Sequence, residues 1–507
     1  MTTSLETIRR LHAWKDGRPL PRGSVVNVHV TDDEDLLIMA FLRMGGESRP
    51  WGVAVGTLAD GPRKFTVPEG RNRTLVGDMM VEVAEILLSH FNHPTCSEVG
   101  PTEYRDTFRQ VWLPGPTHVE MLQCLAAAYA RSRWQRDDID SLHALGNLCN
   151  ALFIEQQRPG QQTVISATEA LRTCYVFPTA TIRQGHLGHL LGWLSPLRSR
   201  TARLDAAHSA ELQSVATVLN PDKERDDLQP LVEQWGIAQR KNDASQMSRL
   251  SRKIARELEV ELTKRWEATA AAARHIADDP REYNEGLKTL VDDSNKQMFR
   301  TWGESALREE AGEPPYWPNV FSDTSARTAG RAYQKRIAFD EKARHLLVHD
   351  DTELQREELA AGHGVICTVT AVDAKNKRWL VTWSYPELPT LKEADALVIA
   401  GARKFGLSVV DVDLDAKTLV LTPKWRTEGM LGTRPLFTPF DTRWRGREIV
   451  LIDDDAHGLA ERKAMTTSKI FGDDDITLLL GYSNSRHAAY DDDGRISLGV
   501  TAEGDDA

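Results

Sequence analysis

The most restrictive feature of this sequence is an abrupt change of hydrophobic pattern near residue 362. In GHGVICTVTAVDAKNKRWLVTWSYP, apolar residues alternate with small or polar ones on both sides of the turn sequence DAKNK. The alternating apolar residues are Val365, Cys367 and Val369 before the turn, and Trp379, Val381 and Trp383 after it. Period-two alternation around a polar turn predicts a β-hairpin. Any fold proposed for this chain must therefore contain a β-region after a long helical stretch.

A second hairpin is predicted from GLSVVDVDLDAKTLVLTPKW, which follows the same scheme of strand, polar turn and strand. Between the two, PTLKEADALVIAGARKFG predicts a short helix or an irregular crossover. Paired hairpins with large loops predict a compact β-barrel near residues 362–426, of OB or SH3-like size. The hairpin pair resembles the small barrels of nucleic-acid-binding proteins and those appended to helicases. That resemblance covers only this region and transfers no active site.

The rest of the chain predicts an α+β multidomain protein. A chain of 507 residues is longer than the length at which proteins keep one hydrophobic core, so it should divide into several domains. A small N-terminal α/β unit is expected over residues 1–115, from short apolar runs such as DLLIMAFLRM followed by the helical spacing of TLVGDMMVEVAEILLSHF. A large helical middle is expected over 116–360, since apolar spacings of three and four dominate there and no repeat of fixed period is evident. The barrel domain with a basic and aromatic extension covers 361–487, and a flexible acidic tail covers 488–507.

Composition limits the class of protein. With 41% hydrophobic and 27% charged residues, the chain has the composition of an ordinary globular protein. No apolar run approaches the roughly 18–20 residues that span a bilayer, and MTTSLETIRRLHAWKDG lacks the apolar segment of a secretory signal. We therefore expect a cytoplasmic protein without membrane contact. The five scattered cysteines fit neither a disulfide framework nor a CxxC zinc module, so no metal or cofactor is predicted.

The stretch TATIRQGHLGHLLGWLSPLRSRTAR, residues 179–203, holds two histidines three positions apart and no carboxylate. A capping box of Thr181 and Gln184 predicts one helix that ends at Ser195. Leucines share one face of that helix and glycines share another, so we expect it to be buried with His186 and His189 at an internal seam. A metal site would need further ligands, and this stretch supplies no carboxylate or cysteine, so the two histidines are expected to be structural.

Arginines flank and follow this predicted helix. Without local carboxylates, they invite either a phosphate backbone or carboxylates from elsewhere in the fold. The candidate phosphate ligands in SPLRSRTAR are Arg198, Arg200 and Arg203.

A second basic feature lies on a predicted helix after residue 243. Residues 240–256 hold six cations against Asp243 alone, a local charge of +5. An apolar seam runs along one side of this helix, and cations occupy the other: Arg249, Arg252, Lys253 and Arg256. A cationic helix face can follow a phosphate backbone, and the alternative is an ordinary solvated face.

A third feature interleaves arginines with aromatic residues after the second hairpin. Aromatic faces stack bases and arginines hold phosphates, which is how single strands are bound without sequence preference. In the alternative, the aromatic rings fill the end of the barrel and the arginines cover them by cation–π contacts. The candidate residues are Trp425, Arg426, Arg443, Trp444 and Arg445.

Together these patterns predict a nucleic-acid-binding accessory subunit of a larger DNA-processing or anti-phage defence complex. It would bind a DNA or RNA backbone without catalysis of its own, while protein partners supply motor or nuclease activity. Motifs of Walker ATPases, GxSxG hydrolases and HExxH metalloproteases are absent. Two alternatives stay open: a protein-interaction scaffold, and a hydrolase or nuclease with a dispersed site that includes His186 and His189.

Overall fold

The computed structural model describes residues 4–22, 30–45, 47–91, 109–158, 160–279, 343, 347–348, 351–425 and 437–453. Over these ranges the chain is a mixed α and β protein, as the sequence predicts. Of the helices in these ranges, none combines the length and the apolar character needed to cross a bilayer. The predicted strand SVVNVHV lies almost wholly outside the described residues, and so does the whole acidic tail.

The helices are α1 (Ser4–Asp16), α2 (Arg73–Phe91), α3 (Pro116–Tyr129), α4 (Ile139–Glu155), α5 (Ala167–Cys174), α6 (Leu187–Leu194), α7 (Arg200–Glu211), α8 (Gln229–Arg240), α9 (Ala244–Ala277) and α10 (Thr352–Ala360). Short helical turns cover Thr181–Gly185, Pro221–Lys223, Glu224–Leu228 and Thr442–Trp444. The strands are β1 (Leu20–Pro21), β2 (Leu36–Leu42), β3 (Gly52–Thr57), β4 (Arg63–Thr66), β5 (Gln110–Leu113), β6 (Val164–Ser166), β7 (Tyr175–Val176), β8 (Gly364–Asp373), β9 (Arg378–Tyr385), β10 (Ala396–Ile399), β11 (Ala402–Asp413), β12 (Thr418–Trp425) and β13 (Glu448–Asp453).

A five-stranded mixed sheet with the order β4-β3-β2-β5-β6 is the centre of the N-terminal half. β2, β3 and β4 form an antiparallel meander, and β5 and β6 run parallel to β2. Every residue of β2 is buried, because helices cover both faces of the sheet. Its odd-numbered residues, such as Met39, pack with α2, α3 and α4. Its even-numbered residues, such as Ile38, pack with α5, α6 and α9.

The sheet draws strands from both sides of the predicted boundary at residue 115. β5 pairs in parallel with β6 although about fifty residues and two helices lie between them, as a crossover between parallel strands requires. β4 and β6 carried no clear sequence signal, since each has four residues or fewer. The described residues on the two sides of position 115, up to the end of α9, therefore share one sheet and one set of covering helices.

The 34-residue helix α9 crosses one face of this sheet. The predicted apolar seam is buried there, with Leu250, Ile254, Leu258 and Leu262 at 1% exposure or less. The opposite side of the first turns faces solvent. This packing fixes which residues of α9 a partner can reach.

The C-terminal region contains the predicted β-barrel. Six strands close it in the order β10-β11-β12-β9-β8-β13, and every neighbouring pair is antiparallel. Its interior is filled by apolar side chains, including Val369, Trp379 and Leu421. The stretch PTLKEADALVIAGARKFG, for which a short helix or an irregular crossover was predicted, contains the strand β10 instead.

The barrel also contains an internal repeat that the sequence pattern did not reveal as a fixed period. The hairpins β8–β9 and β11–β12 share structural details at positions forty residues apart. A bulge lies between Val369 and Ala371, and its counterpart lies between Val409 and Asp411. The turns contain Lys377 and Lys417, whose φ angles of 56° and 51° lie in the left-handed region. Two copies of one hairpin thus meet across the antiparallel β9–β12 pair.

Candidate nucleic-acid interface

The basic face of α9 consists of Arg249, Arg252, Lys253 and Arg256. Asp243 caps the helix, and its Oδ1 accepts a hydrogen bond of 2.9 Å from the Gln246 amide. Residues separated by three, four and seven positions lie on one side of a helix, so the four cations project together. All four are exposed, which agrees with the helical spacing predicted from the sequence.

Nothing in the described part of the chain neutralises this face. None of its four cations forms an ion pair with a described residue; Arg252 Nε donates only to the Ser248 carbonyl, at 3.4 Å. The carboxylates of the next turns are used elsewhere, because Lys223 Nζ lies 3.7 Å from Glu257 and 3.1 Å from Glu261. The face therefore presents a positive charge that no described carboxylate compensates.

Arg240 and Lys241, just before α9, extend this charge. Both are exposed, and neither forms an ion pair within the described ranges. Arg240 is the last residue of α8 and Lys241 follows it, and α8 packs against α9 through Trp235 and Ala238. A partner that contacts the basic face would meet these two cations at its edge.

A buried ion pair holds α9 in place below the basic face. The Arg265 side chain is fully buried, and its Nη1 donates to Glu261 Oε2 at 3.1 Å. Its Nε and Nη2 donate to the carbonyls of Ala216 and Val218, at 2.7 and 3.3 Å. Burial raises the pKa of Glu261, but hydrogen bonds from Lys264, Lys223 and Arg265 outweigh it and bring the pKa to about 2. Glu261 is therefore ionised over the whole physiological pH range.

The carboxyl ends of β2 and β5 lie at the same edge of the sheet, and ligands of open α/β sheets bind at such an edge where the strand order reverses. Here His118, from the first turn of α3, occupies the space beyond β5. Its Nδ1 accepts from the Phe41 amide at 3.1 Å, and its Nε2 donates to the Val215 carbonyl at 2.9 Å. Burial, together with the positive charge of Arg265, lowers the pKa of His118 to about 3, so the ring is neutral.

The chain itself continues the sheet beyond this histidine. Arg43, one residue after β2, forms a parallel bridge with Val218. The Arg43 amide donates to the Thr217 carbonyl at 2.8 Å, and the Leu219 amide donates to the Arg43 carbonyl at 3.0 Å. Across the described residues, no group of three or more His, Cys, Asp or Glu side chains is arranged to hold a metal ion. The edge at which a sheet ligand would sit is thus occupied by the protein.

The predicted helix at Thr181 is two segments instead of one. A short turn covers Thr181–Gly185, and α6 begins at Leu187. His186, with an extended backbone, caps α6 by accepting the His189 amide at its Nδ1, so the predicted capping box of Thr181 and Gln184 was wrong. The break arises because the ring nitrogen of His186 offers a cap at the point where the glycine-rich sequence bends.

His189 lies at the buried seam that the sequence predicts. It is fully buried, and its Nε2 lies 2.9 Å from Thr179 Oγ1 and accepts from Trp193 Nε1 at 3.2 Å. Its Nδ1 is 3.4 Å from a carboxylate oxygen of Glu211. These contacts give His189 a packing role in this region.

Of the three arginines after α6, two contact residues at and just after the end of α1. The Arg200 guanidinium lies 5.0 Å from the centre of the Trp14 ring. Arg203 Nη1 donates to the Gly17 carbonyl at 2.9 Å, and its Nε donates to the Ser195 carbonyl at 3.3 Å. They tie the end of α1 to the turn between α6 and α7. Arg198 is exposed and forms no ion pair with the described residues.

At the end of the barrel, aromatic rings pack inward. Trp444 is 5% exposed, and its ring centre lies 5.1 Å from that of Trp379 and 5.5 Å from that of Phe437. The guanidinium groups of Arg443 and Arg447 lie 4.4 and 4.7 Å from the Phe437 ring centre. This is the arrangement of the packing alternative, and stacking on a base would require Trp444 to leave the barrel.

Of the other candidates in this extension, Arg445 is exposed. Arg443 forms an ion pair of 2.6 Å with Asp441. Arg426 and the Trp425 side chain lie outside the described residues. The structure thus brings together the four cations of the basic face, whereas among the described cations of the barrel extension Arg443 is paired with Asp441.

Comparison with known proteins gives no relative from which a site could be transferred. The chain matches no family model, no curated protein and no solved structure.

Proposed function

We propose that this protein binds nucleic acid through the basic face of α9, as a non-catalytic accessory subunit of a larger complex. The observation that carries the proposal is the exposure of Arg249, Arg252, Lys253 and Arg256 on one side of α9, without a neutralising carboxylate among the described residues. Charged faces of ordinary solvated helices usually mix both signs, as i,i+4 pairs do.

The chemistry of this face suits a phosphate backbone better than a base edge. Long, exposed lysine and arginine side chains position a duplex or a strand and carry no sequence information by themselves. The first and the last cation are seven positions apart, which corresponds to about 10 Å along the helix axis. Binding would therefore be strongly salt-dependent and tolerant of sequence.

The accessory role rests on the edge of the sheet, where His118 and the segment 215–219 occupy the position of a ligand. In this proposal, partner proteins supply motor or nuclease activity for DNA processing or defence against foreign DNA. The barrel would belong to the OB or SH3-like class, with Arg445 as a peripheral phosphate contact. The role of a hydrolase with a dispersed site stays a prediction.

A scaffold is the second candidate, and a surface of α1 favours it. Ile8 and Leu11 are 48% and 61% exposed, one turn apart on the same side of the helix. In a scaffold, this apolar surface would pack against a partner while the basic face docks an acidic protein.

Fluorescence anisotropy tests the two candidates. The full chain is titrated into labelled single- and double-stranded DNA and RNA at low and moderate salt. The test variant replaces the four cations of the basic face with glutamine. The control replaces four exposed cations elsewhere: Arg356, Lys375, Arg378 and Lys392.

Salt-sensitive binding that the test variant loses and the control variant keeps would support the nucleic-acid proposal. Equal binding by both variants would remove the basic face from it. If the natural chain binds none of these nucleic acids, the protein-interaction scaffold becomes the preferred function.

A further inference from the structure

A polar cavity of about 610 Å³ lies between α1, α5, the turn Thr181–Gly185 and α10. Its volume falls within the range of small-molecule sites, which is about 300–1,000 Å³. Its walls are unusual in carrying four arginines together with carboxylates. The charged lining residues are Glu6, Arg9, Arg10, Arg22, Glu169, Arg172, Asp351, Glu353 and Glu357.

Two of the arginines are engaged by carboxylates. Arg22 donates through both terminal nitrogens to the two oxygens of Glu6, each at 3.0 Å. Arg172 Nη1 donates to Glu169 at 2.7 Å. In these two pairs, the carboxylate neutralises the guanidinium. Both pairs line the cavity, so they form a wall of it that is close to neutral.

The other two arginines keep donors for which the described residues supply no acceptor. Arg9 Nη1 lies 3.0 Å from Glu353, yet its buried Nη2 has no hydrogen-bond partner within the described ranges. Arg10 Nη1 donates to Thr181 Oγ1 at 2.9 Å, while its buried Nε is 3.7 Å from Glu6, too far for a hydrogen bond. A buried donor without an acceptor destabilises the protein. Two such donors lie on adjacent residues that line one cavity. They indicate a bound ligand that supplies the missing hydrogen-bond acceptor.

We propose that this cavity binds a small molecule that carries an oxyanion, a phosphate or a carboxylate, together with hydroxyl or amino groups. The oxyanion accepts hydrogen bonds from Arg9 and Arg10, because a guanidinium group can donate to two oxygens of a phosphate or of a carboxylate at once. Glu169 and Glu357, on the same walls, accept from the hydroxyl or amino groups. The lining carboxylates repel a polyanion, so this site is distinct from the basic face.

The site also joins parts of the chain that are distant in sequence. Arg9 lies on α1, and Glu353 lies in the first turn of α10, which leads into the first barrel strand. A ligand held by Arg9 and Arg10 would therefore sit beside the ion pair that connects these two helices.

Isothermal titration calorimetry of the full chain tests the proposal with three probes. Glycerol 3-phosphate offers a phosphate with hydroxyl groups, L-serine offers a carboxylate with both donors, and inorganic phosphate offers the oxyanion alone. Preference for glycerol 3-phosphate or for L-serine over inorganic phosphate supports the site and identifies the oxyanion. Inorganic phosphate binding as tightly as the larger probes, or no binding by any probe, overturns it.

Two variants locate the binding. Arg10→Gln removes a charged donor and should weaken binding by about tenfold or more. Thr173→Phe fills the cavity from α5 without changing a charge and should abolish binding. Arg198→Gln, which removes an exposed arginine outside the cavity, is the matched control and should bind as the natural chain does. Unchanged affinity in both Arg10→Gln and Thr173→Phe would overturn the assignment, and circular dichroism confirms that each variant is folded.

Discussion

Arg265 and Glu261 form a buried ion pair one turn apart on α9, with 3.1 Å between Nη1 and Oε2. Arg265 also donates hydrogen bonds to the carbonyls of Ala216 and Val218, so the pair connects α9 to the segment that follows α7. It therefore fixes the rotation of α9 about its axis and the segment that follows α7. Through that rotation it determines which residues of α9 face solvent.

Replacing Arg265 with methionine should destabilise the protein strongly. The change leaves Glu261 buried with one partner fewer and strips the carbonyls of Ala216 and Val218 of their donors, which costs about 3–5 kcal/mol for a broken buried pair. Urea unfolding followed by circular dichroism measures the loss. Arg252→Met, on the exposed basic face, is the control and should change stability by less than about 0.5 kcal/mol. Equal effects of the two variants would contradict the anchoring role.

His118 should make stability depend on pH. Its pKa is about 3 in the folded chain, against 6.5 for the free side chain, so between these values only the unfolded chain binds the proton. The stabilisation that neutral His118 supplies is fully present above about pH 6.5 and is lost progressively as the pH falls towards 3.

The matched variant is His118→Gln, which cannot titrate. At pH 7 it should be less stable than the natural chain by about 1–3 kcal/mol, because hydrogen bonds to Phe41 and Val215 are weakened. The difference should shrink by about 2 kcal/mol between pH 7 and pH 5, as measured by urea unfolding at each pH. A difference that is constant with pH would mean that the pKa of His118 is the same in the folded and the unfolded chain.

Gly192 should tolerate no side chain, since a Cβ there would lie 2.4 Å from the Ala207 Cα. Gly192→Ala should force α6 and α7 apart and destabilise the protein by about 1–3 kcal/mol. Gly185 provides the control, because a Cβ at that position meets no atom within 4 Å. Thermal unfolding of both alanine variants tests the contact, and an equal shift of Tm would argue against it.

Trp444 should act on the stability of the barrel. Trp444→Ala removes a ring that packs on Trp379 and Phe437 and should cost about 3–5 kcal/mol. Trp444→Phe should recover much of this loss, as it keeps a ring in place. Near-ultraviolet circular dichroism during denaturation follows the barrel; full stability of the alanine variant would show that Trp444 is available for stacking instead.

Salt dependence should separate the four cations of the basic face one by one. Each phosphate contact contributes roughly −0.9 to the slope of log Kobs against log salt on duplex DNA. Arg252→Gln should therefore make the slope less steep by about one, and Arg378→Gln should leave it unchanged. Anisotropy titrations at four salt concentrations give the slopes, and identical slopes would exclude Arg252 from phosphate contact.

The elements with strong periodicity were predictable from the sequence. Leu250, Ile254, Leu258 and Leu262 recur at helical spacing and are buried on α9, and the alternation around residues 374–377 is a hairpin. The sheet was harder to predict, because β6 has three residues and its partner β5 is remote in the chain. Such pairing depends on tertiary contacts that local patterns do not encode.

Some residues of the candidate site could be predicted from local sequence patterns, and others could not. The basic face was predictable because the packing of one helix side determines what the other side presents. The roles of Arg200 and Arg203 were not, since they bind the ring of Trp14 and the carbonyl of Gly17, which appear as no opposite charge in the sequence. Trp444 was ambiguous because alternating rings and arginines look alike whether the rings face inward or outward.

The closure of the barrel has a consequence for how the protein is made. Each of the two hairpins is local, but β8 obtains its second neighbour only when β13 arrives, with Val365 opposite Leu451. Until that strand leaves the ribosome, β8 and β10 both present unpaired backbone edges, which are templates for aggregation. A nascent chain that stops at the end of β12 would therefore have both hairpins and still be a substrate for chaperones.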